Sequence, residues 1–172
     1  MNLFHVVGDA TSPVKNPAVI AHVCNTTGKW GKGFVLPLGR KFPQAKGDFL
    51  SKPSRAINEV SIVDCGNGVH VANMVAQVGT RPRRGQIPLR YSALHVCLDT
   101  VQKFAETNGA TVHMPRIGAG LAGGDWNVIK SVITATMKVD TYVYTLESER
   151  EDWPETKSVD VAGILDGADS DE

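Results

Sequence analysis

Apolar positions recur along residues 1–146 in two rhythms, one near every second position and one near every 3.6, and the two alternate along the chain. Residues 2–7 read as an opening strand that ends in Gly8-Asp9-Ala10-Thr11, after which Pro13 and Pro17 bar a helix. Residues 18–24 (Ala-Val-Ile-Ala-His-Val-Cys) are almost continuously apolar, as a strand buried on both faces should be. A glycine-rich loop over 25–33 follows, then a helical pattern through Phe34, Val35, Leu38 and Phe42, which Pro37 limits to an early kink or a delayed start. A second short helix is expected over 43–52. Residues 60–64 alternate like a strand, Asn67-Gly68 marks a tight hairpin, and 69–78 reads as the returning partner. The segment 79–86 is a basic loop. Leu94, Cys97, Leu98, Val101 and Phe104 space a helix over 89–107, stopped by Asn108-Gly109. A short strand over 111–114, a helix over 125–137 and a strand over 141–146 complete the pattern. Strands that alternate with helices, plus one hairpin, imply an α/β fold with a mixed sheet and helices on both faces.

Charge divides the chain where the periodicity stops. Residues 147–172 hold ten acidic and two basic side chains, a net of −8, so 1–146 hold eight acidic and sixteen basic, a net of +8. A basic body suits an anionic ligand such as a nucleotide. The acidic segment reads as a largely disordered C-terminal tail, with one apolar patch over 159–165 able to dock. It can shield the basic body, lie on it, or keep the protein in solution. With 172 residues there is room for one domain and a good core. No apolar run reaches membrane-spanning length and no basic-then-apolar leader opens the chain, so a cytoplasmic protein without membrane contact is expected. Cys24, Cys65 and Cys97 are odd in number and lack C-x-x-C spacing, which points to neither a disulfide framework nor a zinc site.

The candidate chemistry centres on residues 115–126, Pro-Arg-Ile-Gly-Ala-Gly-Leu-Ala-Gly-Gly-Asp-Trp, between a strand and a helix. Glycines there let main-chain N–H groups approach a bulky ligand, and the following helix N-terminus favours an anion. Asp125 stands where that helix begins, as a cap or as a catalytic carboxylate. Gly118, Gly120 and Gly123 satisfy G-x-G-x-x-G, and Glu147 falls roughly where a dinucleotide fold wants its acid. That fold needs further strand–helix units, and after 146 the chain has none. The phosphate cradle survives this test; a nicotinamide cofactor does not, and no cofactor is expected.

Three stretches then carry a resemblance. They are Gly8-Asp9-Ala10-Thr11; His22-Val-Cys-Asn25-Thr-Thr-Gly28-Lys-Trp-Gly31-Lys-Gly33-Phe followed by Arg40-Lys-Phe-Pro43; and the stretch 115–126. In order and spacing they resemble the macrodomain, the ADP-ribose-binding module, over residues 1–146, and within it the ADP-ribose 1″-phosphate phosphatases. The resemblance implies a three-layer α/β/α sandwich with a mixed central sheet. It implies that Asp9, with Ala10 beside it, holds the adenine and that Asn25 bonds the distal ribose. The main chain of Gly31, Lys32 and Gly33 on one side, and of Gly118, Ala119, Gly120 and Leu121 on the other, would clasp the diphosphate. His22, Asn25 and Asp125 would carry the chemical step. The Asn-Ala-Ala-Asn string of the larger macrodomain group is missing. Relatives that cleave ADP-ribose from protein glutamate or from DNA bases use a lysine at the end of the strand matching 69–78, where this chain has Ala76-Gln77-Val78.

Each candidate also has a plainer reading. Asp125 is equally an N-cap, Asn25 and Asp9 are turn formers, and His22 in a buried strand is a hydrogen-bonded core histidine. His5, His70, His95 and His113 lack a site context and read as structural, and Trp30 and Trp126 as packing residues. Cys24 has no activating partner in sequence. Arg81, Arg83 and Arg84 read as a solvated loop, the alternative being contact with a terminal phosphate or nucleic acid. The function expected is hydrolysis of the terminal phosphate of ADP-ribose 1″-phosphate by a metal-independent monomer. The rivals are ADP-ribosyl hydrolysis from protein or nucleic acid, and non-catalytic reading of ADP-ribose.

Overall fold

The computed structural model describes residues 1–153. Its strands are β1 (Leu3–Val7), β2 (Ala18–Asn25), β3 (Val60–Asp64), β4 (Val69–Gln77), β5 (Thr111–Met114) and β6 (Thr141–Thr145). Its helices are α1 (Val35–Lys41), α2 (Pro43–Ser51), α3 (Tyr91–Thr107) and α4 (Trp126–Thr136). The strands form one sheet in the order β1-β6-β5-β2-β4-β3, parallel except for the β3–β4 hairpin. This is the mixed α/β sandwich expected.

The continuous apolar run of β2 is explained by where it lies, between β5 and β4 with helices on either side. Val19 and Ala21 join the core under α3 and α4, with Met74, Ala76, Leu94, Leu98, Ile129 and Ile133. Ile20 and Cys24 point the other way, into Leu38, Phe42, Ala45 and Phe49 of the α1–α2 layer. β4 divides its side chains likewise, Ala72 and Met74 to one face, Val71 and Val75 to the other. Such strands cannot slip register by one residue without exchanging two differently shaped cores.

Helix limits follow from local backbone chemistry. Pro37 sits in the first turn of α1, where its missing N–H costs nothing. The helix expected from Leu89 starts instead at Tyr91, because Leu89 N–H bonds Ala122 O at 3.2 Å and Arg90 N–H bonds Ala76 O at 2.9 Å. Asp125 and Met137, expected as the ends of the last helix, are its caps. Asn67 (φ 53°) and Gly68 (φ 77°) both take the left-handed conformation that a two-residue hairpin turn requires. After β6 the chain makes a 3₁₀ turn over Glu147–Asp152, and Trp153 packs edge-to-face on Trp126 with ring centroids 6.1 Å apart. The rest of the acidic tail, 154–172, with the expected disorder and apolar patch, lies outside the described residues.

Candidate functional site

Because β1, β6, β5, β2 and β4 run parallel, the loops that leave their carboxyl ends gather on one edge of the sheet. That edge is where α/β sheets of this kind bind ligands. β2 and β5 are neighbours, paired Ala18 with Thr111 through Ile20 with His113, so their two glycine-rich loops emerge side by side. The two loops meet: a Cβ built on Gly33 would lie 3.7 Å from Cδ1 of Leu121, a side chain that is 66% exposed.

The first loop is organised by Asn25. Its Oδ1 accepts from Thr27 N–H (3.1 Å), Thr27 Oγ1 (2.9 Å) and Lys29 N–H (3.0 Å), while its Nδ2 donates to Lys29 O (2.9 Å). One amide hydrogen of Asn25 is left for another partner. Trp30 is buried under the loop, edge-on to His22 with centroids 5.3 Å apart. Beyond it the chain turns outward, and Gly31, Lys32 and Gly33 are exposed. In the second loop Gly124 N–H bonds Gly118 O at 2.8 Å, and Gly118 (φ 72°) fits only because it has no Cβ, which would lie 2.8 Å from Leu89 Cδ2. Among the described residues, the N–H groups of Gly31, Lys32 and Gly33, and of Gly118, Gly120 and Leu121, find no protein acceptor. Ala119 N–H makes only a long contact of 3.4 Å to Arg116 O. Two adjacent loops with unpaired main-chain donors have the chemistry to cradle an anion.

Asp125 caps α4 through Oδ1, which accepts Asn127 N–H at 2.8 Å. Its own N–H is held by the Tyr91 hydroxyl at 2.9 Å, and the carboxylate is exposed. His22 is in a different setting. Its ring is 2% exposed, packed against Trp30 and Phe34, and Nε2 stands 2.5 Å from Asn73 Oδ1. Asn73 Nδ2 donates to Ala45 O at 3.0 Å, so its Oδ1 is the acceptor and His22 carries its proton on Nε2. Burial lowers the His22 pKa to about 4, against a smaller upward pull from the Asn73 bond, so the ring is neutral at pH 7. The nearby Cys24 thiol is pushed well above its ordinary range by burial, which leaves it unreactive.

On the far side of the sheet edge, Asp9 Oδ1 accepts both Thr11 N–H and Thr11 Oγ1 at 2.8 Å. This bend leaves the other carboxylate oxygen for an amino group. The Ala10 side chain is buried with Val6, Tyr142 and Tyr144, so only its main chain can meet a ligand. The loop is pinned by the Tyr144 hydroxyl, 3.0 Å from Val14 N–H and 2.7 Å from His113 Nδ1.

Several contributors had no sequence signal. Tyr91 holds Asp125 across 34 residues, and Asn73 holds His22 across 51. The Arg116 guanidinium lies between Trp126 and Trp153, 4.8 and 3.9 Å from their ring centroids, and its Nε donates to Thr145 Oγ1 at 2.9 Å. Arg55 Nη1 lies 2.5 Å from where a Cβ on Gly28 would be, and the guanidinium bonds Phe49 O. A separate concavity of about 410 Å³, lined by Asp48, Arg55, Ser61 and Asn73 among others, contains none of the expected site residues. Among the described residues, no helix is long and apolar enough to cross a membrane.

No protein-family model matches the chain. Among solved structures, a protein from Bacteroides thetaiotaomicron is 37% identical with a TM-score of 0.76, over 83% of this chain and 99% of that one. A macrodomain protein from Streptomyces coelicolor is 36% identical with a TM-score of 0.72, over 84% of this chain and 99% of its own. Among curated relatives, the ADP-ribose 1″-phosphate phosphatase of Lodderomyces elongisporus is 24% identical over 161 residues, 86% of this chain and all of that one.

Proposed function

Because the chain belongs to the macrodomain family, we propose that the cleft binds ADP-ribose and hydrolyses the terminal phosphate of ADP-ribose 1″-phosphate. One observation carries the reading: two loops meeting at Gly33 and Leu121 with unpaired main-chain N–H groups on both. Such donors suit a diphosphate because they cost no reorganisation when the ligand arrives. Asp9 and the Ala10 main chain take the adenine, and the spare amide hydrogen of Asn25 takes the distal ribose. The second oxygen of Asp125 orients or deprotonates water, which attacks phosphorus. The bond from phosphorus to the ribosyl oxygen breaks, and that oxygen takes a proton from solvent. Positioning supplies most of the rate in phosphoryl transfer. His22, neutral and bonded to Asn73, serves by fixing the end of β2 beside Asn25 and not by moving a proton.

Asp125→Asn is the decisive variant, since asparagine caps a helix about as well as aspartate. Phosphate release from ADP-ribose 1″-phosphate should fall by roughly a hundredfold or more. The melting temperature and ADP-ribose affinity should hold. Unchanged turnover would remove Asp125 from the chemistry. The second reading, a non-catalytic ADP-ribose reader, is favoured by the burial of His22 and by the commitment of Asp125 to its cap. Tight ADP-ribose binding with no phosphate released by the unaltered protein would establish it.

A further inference from the structure

The segment between β4 and α3 has no part in the function proposed above, yet it borders the same cleft. Its base is closed by an antiparallel bridge between Gln77 and Leu89 and by Val78 N–H to Pro88 O at 2.9 Å. Its tip is closed by reciprocal bonds between Arg83 and Gln86, at 3.0 and 2.9 Å. Arg84 (φ 51°) and Gly85 (φ 74°) are the two left-handed residues of the turn. The result is a small ribbon that carries Arg81, Arg83 and Arg84, all exposed. Among the described residues, none of the three guanidinium groups has a hydrogen-bond or ion-pair partner, and 79–90 contain no acidic residue.

The ribbon is stitched to both glycine loops. Gly79 N–H donates to Thr26 Oγ1 at 3.1 Å, and Thr26 N–H donates to Gln77 O at 3.1 Å, directly beside Asn25. On the other side, Ile87 Cγ2 would lie 3.3 Å from a Cβ on Gly123. The base of the ribbon that carries the three arginines therefore lies beside Asn25, the residue assigned above to the distal ribose. Three like charges within four residues repel one another, and among the described residues no acidic partner offsets them. Guanidinium groups offer fork-shaped donors that match phosphate oxygens.

We propose that the Arg81–Arg83–Arg84 ribbon is an anion subsite that binds phosphate attached beyond the distal ribose, and so selects phosphate-bearing ligands over ADP-ribose itself. The proposal rests on the ADP-ribose reading of the cleft. The phosphate is either the terminal monoester of ADP-ribose 1″-phosphate or a phosphodiester of a nucleic acid that carries ADP-ribose.

Calorimetry on the full chain separates these sources. The probes are ADP-ribose, ADP-ribose 1″-phosphate and ADP-ribose attached to a short single-stranded oligonucleotide. The proteins all carry Asp125→Asn, so that the 1″-phosphate is not turned over, and are otherwise unaltered, Arg81→Ala/Arg83→Ala/Arg84→Ala, or the corresponding triple lysine variant. ADP-ribose affinity should agree within about twofold in all three, because no surface pair to it is lost. At least one phosphate-bearing probe should bind the alanine variant about tenfold more weakly, with most of the loss restored by lysine and the difference shrinking as salt rises. A loss confined to the 1″-phosphate assigns the monoester, and one confined to the oligonucleotide assigns the diester. If neither probe loses more than about twofold, the subsite does not exist. If ADP-ribose binds none of the three proteins, the nucleotide reading falls and takes the subsite with it.

Discussion

His22 and His113 are both buried without charge, and the cost of that is read in acid. Burial lowers the folded pKa of His22 from 6.5 to about 4 and that of His113 to about 3. Between those values and 6.5 the unfolded chain binds more protons than the native one, so stability rises with pH across the window. The contribution is complete above pH 6.5 and is lost as the pH falls through the folded pKa. For His22 alone the loss from pH 7 to pH 4 is about 3 kcal/mol. Urea unfolding of the unaltered protein and of His22→Gln, which keeps a donor for Asn73, should show a shallower acid slope in the variant. Equal slopes would mean that His22 is not held neutral in the core. The same burial explains why a histidine three residues before Asn25 resembles a catalytic group in sequence and is packed like a core residue in the fold.

At the scale of the loops, the glycines divide into those that the protein itself requires and those that leave room for something else. A Cβ on Gly124 would lie 2.7 Å from Gly118 O and 2.5 Å from Leu89 Cδ2, whereas one on Gly120 would meet nothing within 4 Å. Gly124→Ala should therefore destabilise the protein by roughly 2 kcal/mol or more, as overpacking against backbone does. Gly120→Ala should melt with the unaltered protein yet bind ADP-ribose more weakly, because its methyl enters the cleft. Paired thermal unfolding and calorimetry test this, and a Gly120→Ala protein with full affinity would place the ligand elsewhere. Such loops are legible in sequence because strand periodicity fixes where they leave the sheet and glycine runs mark where side chains would obstruct. β2, β4 and β6 could be read from their apolar runs, and the caps of α4 from Asp125 and Met137 within a residue. What could not be read is whatever depends on distant partners. Tyr91 on Asp125, Asn73 on His22 and Trp153 over Arg116 have no local signature. The start of α3 was displaced because Leu89 and Arg90 are bonded to Ala122 and Ala76, two segments that no window around residue 89 contains.

At the scale of the molecule, charge separates what the core joins. Residues 1–153 hold seventeen basic and twelve acidic side chains, a net of +5, which residues 154–172, with six acidic and one basic, cancel. The described chain ends at Trp153, stacked over Arg116 in the very loop that follows β5. Trp153, from which the acidic segment continues, thus lies against one of the two loops proposed to hold the anionic nucleotide. At low ionic strength the segment's charge acts across a distance comparable with the screening length, roughly 30 Å at 0.01 M salt, and at 1 M over only about 3 Å. A chain truncated after Trp153 should therefore bind ADP-ribose several-fold tighter than the full chain in low salt, with the gap closing as salt is added. Melting temperatures should agree, since the truncation removes no described contact. Equal affinities in low salt would show that the tail's charge is not felt at the cleft, and would leave the overall neutrality of the chain without a role in ligand capture.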